Sequence, residues 1–333
     1  MLSSPTTMAC IGYRGHQGSE YVQALDTLTG VRLTGLVDPA DGGLPRLLRH
    51  SPRLFDRVDD LLADHVPDVV LVTLPHGQHY EVIRQCVEAG SHVLIEKPLV
   101  PDVESATSLL ELAERSGRSI VTLTQRPIRP EFRYLRHVLD TIGEPYWAEW
   151  CYSMAFAAPT SGWRSEWEHA RGGVLLDMGY HALDVLTDVF GPAEVLGASK
   201  HFRYPGSREQ DLEDLVSASL EFGDGQVGCH LFVARHAHEK RETFEVHGTL
   251  GVATVDVRAA HVTVHAEDGR LLDEYQGPER CTDSPAVVLS SFLDVARDPE
   301  RALSHLRHHI AVVRTCEEIY QSAAHTPSAV APA

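Results

Sequence analysis

The run GGVLLDMGYHALD, from Gly172 to Asp184, carries a carboxylate at Asp177, an imidazole at His181 and a second carboxylate at Asp184. Its apolar residues follow a helical period, and residues four apart on a helix share a face. Asp177 and His181 are therefore expected side by side, just after the two glycines that open the helix. An unperturbed imidazole titrates at about 6.5, so a positioned histidine can take or return a proton near neutrality. The acid can fix the orientation of the ring, stabilise the imidazolium or join a proton relay. An amine, Lys97, ends the apolar run HVLIEKPL and can stabilise developing alkoxide charge. These three groups suit a step in which a proton moves as charge develops on an oxygen atom. Each has a plainer alternative. D-x-x-x-H also occurs as an exposed charge pair, and a lysine at a strand exit can simply reach solvent. Asp184 is either structural or a substrate contact.

A second constellation points to a nucleotide. IGYRGHQG follows the first apolar run and opens a helix, with glycines at Gly12, Gly15 and Gly18 and with Tyr13 and Arg14 between them. Such a loop turns tightly and lets backbone N–H groups approach a pyrophosphate at a helix N-terminus. The spacing is G-x-x-G-x-x-G where G-x-G-x-x-G is usual, with Arg14 where the central glycine often falls. Asp38 ends the next strand, where an acid can accept hydrogen bonds from the adenosine ribose and repel a 2′-phosphate, favouring NAD over NADP. A plain glycine turn and a solvent-facing acid in VDPAD are the alternatives, and Arg14 could itself sit near a phosphate.

The elements that must position these groups fall into two textures. Over residues 1–125, apolar runs such as DVVLVTLP and SHVLIEKP alternate with helical stretches such as HYEVIRQCVEAG. That alternation implies a doubly wound parallel sheet covered by helices, a Rossmann-type α/β domain. Lys97 then lies beyond the carboxyl end of a strand, where open parallel sheets bind ligands, and Pro98 could take a cis bond. Over residues 126–325, a helix near Glu131–Leu139 and the Gly172 run are followed by strand-like segments from AEVLGASKHF to HVTVHAE. FGDGQ between two of them is a hairpin turn. This pattern implies an α+β domain, closed by a helical region from about Ala286 to Ala323. Residues 326–333 read as a flexible tail.

Composition narrows the partners. The 333 residues include 29 Lys+Arg and 47 Asp+Glu, a net charge of -18, which disfavours nucleic acid. No apolar run approaches the roughly 20 residues of a membrane helix, and no signal peptide is recognised at the start. Six scattered cysteines without a C-x-x-C pair suggest free thiols and a cytoplasmic location.

TLPHGQHYEVIRQCVEAGSHVLIEKPLV, followed by GWRSEWEHARGGVLLDMGYHALD, resembles the Gfo/Idh/MocA family of NAD(P)-dependent oxidoreductases, in particular inositol dehydrogenase-like members. The pairing of E-K-P with G-G-x-x-x-D-x-G-x-H carries the resemblance. It implies a Rossmann domain followed by an α+β domain with an open-faced, mostly antiparallel sheet, the second domain serving substrate binding and oligomerisation. It makes Lys97 the catalytic lysine and His181 the general acid/base aided by Asp177, with both facing an interdomain cleft opposite Lys97. It also places Gly12, Gly18, Thr73, Pro75, His76, His79, Glu96 and Arg164 at the cofactor. Many relatives carry Asn where His76 stands. Gly172 and Gly173 would give the helix start room against the cofactor. The implied substrate is a sugar, cyclitol or related polyol, and the implied assembly a homodimer or homotetramer.

Trp163 resembles the first residue of the family's W-R pair. With Arg126, Tyr152, Arg235, His236 and His238 it could line the substrate pocket. His76-x-x-His79 and His236-x-His238 lack a third ligand at suitable spacing, so no metal is expected. Two other functions remain compatible: a glycoside-cleaving enzyme with transient use of bound NAD and no net turnover of it, and a non-catalytic NAD-binding sensor.

Overall fold

A computed structural model of the protein describes residues 5–39, 48–278 and 284–324. Cys281 and the tail 326–333 lie outside the described residues. The first part of the chain runs β1 (Thr6–Ile11), α1 (His16–Leu25), β2 (Val31–Val37), β3 (Arg53–Phe55), α2 (Val58–Asp64), β4 (Val69–Val72), α3 (His79–Ala89), β5 (His92–Glu96), α4 (Val103–Ser116) and β6 (Ile120–Leu123). The chain continues as α5 (Pro130–Val138), β7 (Pro145–Ala155), α6 (Trp167–Ala170), α7 (Tyr180–Phe190), β8 (Ala193–His201), α8 (Pro205–Glu209), β9 (Leu215–Phe222) and β10 (Val227–Ala234). It ends with β11 (His236–Gly248), β12 (Gly251–Asp256), β13 (His261–Ala266), β14 (Leu271–Gln276), α9 (Pro285–Ala296) and α10 (Pro299–Ala324). Two compact units result: Met1–Thr124 with Asp283–Ile310, and Gln125–Thr282 with Ala311–Ala333.

The first unit is built on a six-stranded sheet in the order β3-β2-β1-β4-β5-β6, and its strand pairs are parallel. VVLV of β4 and IVTL of β6 are buried at every position, because helices cover both faces of such a sheet. The strand order reverses between β1 and β4, and it is at such a switch point that open α/β sheets bind ligands. The expected division at residue 126 is too simple for this unit. Asp283–Ile310 returns to it, because α9 lies against β5, β6 and α1. That contact buries Val288, Leu289, Phe292 and Leu293. Ser119 Oγ donates to the Ala296 carbonyl at 2.7 Å.

The second unit holds an eight-stranded sheet in the order β14-β13-β12-β11-β7-β10-β9-β8. Its neighbours pair antiparallel except β7 with β10, which run parallel. Residues alternate between buried and partly exposed along β9, β10 and β12, so one face carries the core. FGDGQ joins β9 to β10 as an antiparallel hairpin, with Phe222 opposite Val227. At the core Trp150 is fully buried. It stacks on Phe132 at 5.6 Å and on Phe244 at 4.7 Å between ring centroids. Strands β3 and β14 are not expected from the sequence. β3 has three residues, and β14 is mostly exposed with no apolar alternation.

Trp150→Ala should remove this stack and leave a cavity, lowering unfolding free energy by about 3–5 kcal/mol. Chemical denaturation checks the value, and a loss under about 1 kcal/mol would show that the sheet does not depend on the stack.

Candidate functional site

In the first unit the glycine loop is set by the ends of β1 and β4. Gly12 N–H donates to the Val37 carbonyl at 2.8 Å, and Thr73 N–H to the Ile11 carbonyl at 2.9 Å. The Thr73 hydroxyl lies 3.0 Å from the carbonyls of both Ile11 and Gly12. Gly12 has φ +83°, and a Cβ there would fall 2.8 Å from the Thr73 carbonyl oxygen. A Cβ at Gly18 would fall 2.3 Å from the Gly12 carbonyl oxygen and 2.8 Å from Thr73 Oγ1. At Gly15 the nearest atom would be 3.5 Å away, an ordinary contact. Steric need therefore falls on Gly12 and Gly18, one residue further apart than the first and third glycines of the usual fingerprint. The N-cap of α1 is Gly15, which has no side chain to accept from the first-turn N–H groups. Close backbone approach and an open helix N-terminus fit a dinucleotide pyrophosphate.

Asp38 follows β2. Its Oδ2 accepts the Arg14 N–H at 3.1 Å, and Arg14 Nε lies 4.0 Å from its Oδ1. The Arg14 guanidinium also sits 5.1 Å from the centre of the buried Tyr13 ring. The loop thus brings its own cation beside the acid, which tempers the repulsion of a 2′-phosphate.

Lys97 lies immediately beyond β5, the neighbour of β4, and its bond to Pro98 is cis. Glu96 behind it is buried. Tyr21 donates to Glu96 Oε1 at 2.6 Å and the Lys97 N–H to Oε2 at 3.2 Å. Burial pushes the Glu96 carboxyl up, and Tyr21 and Lys97 pull it back. His79 is fully buried, with its ring nitrogens 2.8 Å from the Pro98 carbonyl and 2.9 Å from that of Leu74. Burial lowers its pKa, against the pull of these carbonyls. His79 therefore ties the segment after β4, with Pro75, to the segment that carries Lys97. His76 is buried edge-on to it, with ring centroids 5.8 Å apart.

In the second unit the turn Leu175–Gly179 is a π-helix that leads into α7. Asp177 stands on this widened turn and His181, which is buried, on the first turn of α7. Such insertions are frequent at functional sites. Arg235, immediately after β10 and only 2% exposed, places Nη2 at 3.0 Å from Asp177 Oδ2. Arg164 Nε approaches the same oxygen at 3.3 Å, with its guanidinium 4.2 Å from the Trp163 ring centre. These are charge-assisted contacts that hold the carboxylate in place.

The expected pocket residues are tightly engaged. Arg126 makes a two-pronged ion pair with Glu242, both bonds 2.9 Å. The Arg126 guanidinium sits 5.8 Å from the centre of the Tyr152 ring. Burial, then Glu242, pushes the Tyr152 hydroxyl up to about 12. The His236 side chain is enclosed between the Phe156 carbonyl, 2.7 Å from Nδ1, and Asp214, 3.3 Å from Nε2. His238 is exposed and Asp184 buried.

The two glycines before the turn answer to protein. A Cβ at Gly172 would fall 2.5 Å from the Tyr320 hydroxyl oxygen, and one at Gly173 2.2 Å from the Glu213 carbonyl oxygen. The expectation that they make room for cofactor is corrected accordingly: their space is filled from within the unit. Sequence reasoning missed Glu213 and Tyr320, since no motif marks a buried carboxylate before a strand. The described cysteines are free, and burial pushes the thiols of Cys10, Cys86 and Cys229 up to about 12, away from nucleophilic use.

Residues 6–124 match the model of an oxidoreductase family with an NAD-binding Rossmann fold, GFO/IDH/MocA, and residues 132–254 match the GFO/IDH/MocA C-terminal domain. The chain belongs to the GFO/IDH/MocA family. It is 32% identical over 202 residues to 1,5-anhydro-D-fructose reductase of Ensifer adhaerens. That alignment covers 58% of this chain and 58% of the relative, little more than half of its length. The fold is shared with KijD10, a 3-ketoreductase from Actinomadura kijaniata solved with NADP and TDP-benzene. The TM-score is 0.81 at 20% identity, over 96% of this chain and 98% of that one. It is shared too with GenD2 from gentamicin A biosynthesis, solved with NAD, at TM-score 0.77 and 22% identity over 98% and 96% of the two chains.

Gly18→Ala should weaken NADH binding by about tenfold or more, roughly 1.4 kcal/mol, while Gly15→Ala leaves it near wild type. Fluorescence titration with NADH checks both. Equal effects would mean that the loop is not set by the Gly12–Gly18 approach.

Proposed function

We propose that the protein is an NAD-dependent oxidoreductase that moves a hydride between nicotinamide and a secondary alcohol, or the matching ketone, of a sugar, cyclitol or related polyol. The observation that carries this is the grouping, on one sheet of the first unit, of the Gly12–Gly18 cradle after β1, Thr73 after β4 and Lys97 after β5. A dinucleotide site and an amine thus share the carboxyl ends of neighbouring strands. The names of the relatives, an anhydrofructose reductase and a 3-ketoreductase, support a carbonyl or alcohol of a sugar-like molecule.

Bound NAD would supply the hydride acceptor. His181 takes the hydroxyl proton during oxidation and returns it during reduction. Lys97 donates to the reacting oxygen as its charge develops. Asp177, held by Arg235 and Arg164, steadies the imidazole and its charge. Gly12, Gly18 and Asp38 hold the cofactor, with the acid at the ribose favouring NAD. The free, buried thiols support a reducing compartment, the cytoplasm. No helix among the described residues is long and apolar enough to cross a membrane. The partly exposed face of the second sheet, with Trp147 on it, supports self-association as a dimer or tetramer.

Purified protein incubated with NAD or NADH and a panel of myo-inositol, D-xylose and 1,5-anhydro-D-fructose should change NADH absorbance with at least one of them. His181→Ala should lower that turnover by roughly 10²–10⁴-fold with NADH affinity little changed; unchanged turnover removes His181 from the chemistry. Asp38→Ala should weaken NAD binding, and an unaltered NAD titration would reject the ribose assignment.

A further inference from the structure

Glu213, just before β9, is fully buried. Its Oε2 accepts the Gly173 N–H at 2.9 Å, and its Oε1 accepts the Leu175 N–H at 2.9 Å and the Tyr320 hydroxyl at 3.0 Å. Its backbone carbonyl accepts the Val174 N–H at 2.8 Å. Three successive N–H groups, from 173 to 175, therefore end on one residue. They are groups that a helix start cannot satisfy from within itself. The Gly173 carbonyl in turn accepts the Asp177 N–H at 3.2 Å, so the turn gripped by Glu213 leads directly to Asp177.

The next residue reaches the other side of the Asp177 ion pair. The Asp214 carbonyl accepts the Arg235 N–H at 2.9 Å, and its side chain accepts the Arg203 N–H at 2.8 Å. Arg235 then closes on Asp177 through its guanidinium. One dipeptide thus holds the backbone beneath both partners of the pair. The glycines complete the fit, because any side chain at Gly173 would strike Glu213 and any at Gly172 would strike Tyr320.

We propose that Glu213, backed by Tyr320, is a positioning residue that sets the turn that bears Asp177 and leads into His181. It acts without touching substrate or cofactor, and its role rests on the function proposed above for those two residues. Burial pushes the Glu213 carboxyl up, while the donors from Leu175, Tyr320 and Gly173 pull it back. The groups aimed at the carboxylate are all donors. A glutamine would turn an NH₂ group toward at least one of them, leaving donor facing donor. A catalytic group displaced by about 1 Å can cost about 10²-fold in rate.

Glu213→Gln and Tyr320→Phe test this against wild type. The readouts are melting temperature, NADH titration, turnover of the fastest panel substrate, and NMR titration of the His181 ring. NADH affinity should stay within about twofold of wild type, while kcat falls about 10²-fold in Glu213→Gln and several-fold in Tyr320→Phe. KM should change little and the His181 midpoint should move. A merely structural role would lower the melting temperature and leave kcat and the midpoint of the folded protein at wild-type values, which overturns the proposal. If Glu213→Gln does not fold, Tyr320→Phe, which keeps the carboxylate and removes one donor, decides by the same readouts. If wild type turns over nothing in the panel, the proposed activity fails, and the His181 midpoint alone still tests the positioning.

Discussion

A carboxylate removed from water must be met by donors, and the segments that carry the candidate site hang on three such groups. Glu96 joins α1, through Tyr21, to the strand end that bears Lys97. Glu242 on β11 captures the fork of Arg126 beside Tyr152. Glu213 gathers the N–H groups of the turn that leads to Asp177. Glu96 and Glu213 fix backbone N–H groups and Glu242 fixes a guanidinium, and each so fixes what the neighbouring residues present. Losing one partner of such a buried group is expensive, which makes these acids constraints on the fold as well as on the site.

Close backbone approach is the complementary constraint. The ends of β1 and β4 come so near, with the Thr73 hydroxyl between them, that Gly12 and Gly18 have no room for a side chain. The lengthened spacing of the loop is accommodated because the middle glycine is sterically free. Arg14, in that longer loop, lies beside Asp38. The acid alone would disfavour a 2′-phosphate, but an adjacent cation weakens that preference. Both NAD and NADP occur in solved proteins of this fold.

Much of the fold was legible in the sequence. Apolar runs without alternation became the strands of the parallel sheet, because helices cover both of its faces. Segments with alternation became the half-covered strands of the second sheet. Other features were hidden. The apolar face of α9 shows that something covers it, but not that β5 and β6 of the first unit do. β14 lacks the alternation that a one-sided strand shows, because it is mostly exposed. The parallel pairing of β7 with β10 joins segments far apart in sequence.

By itself the sequence determined the classes of element, the order of the strands and helices that carry the motifs, and the chemical types at Lys97, Asp177 and His181. Those follow from local periodicity and residue type, which short stretches of chain already contain. Only the tertiary structure decided which partners hold them. It set Arg235 and Arg164 on Asp177, drew His79 to two carbonyls, and gave Gly172 and Gly173 to Tyr320 and Glu213. Apart from the His79–Leu74 contact, five positions apart, these pairings depend on the approach of residues well separated in the chain. Nothing local in a chain encodes which distant donor will meet a buried acid until packing brings the two together.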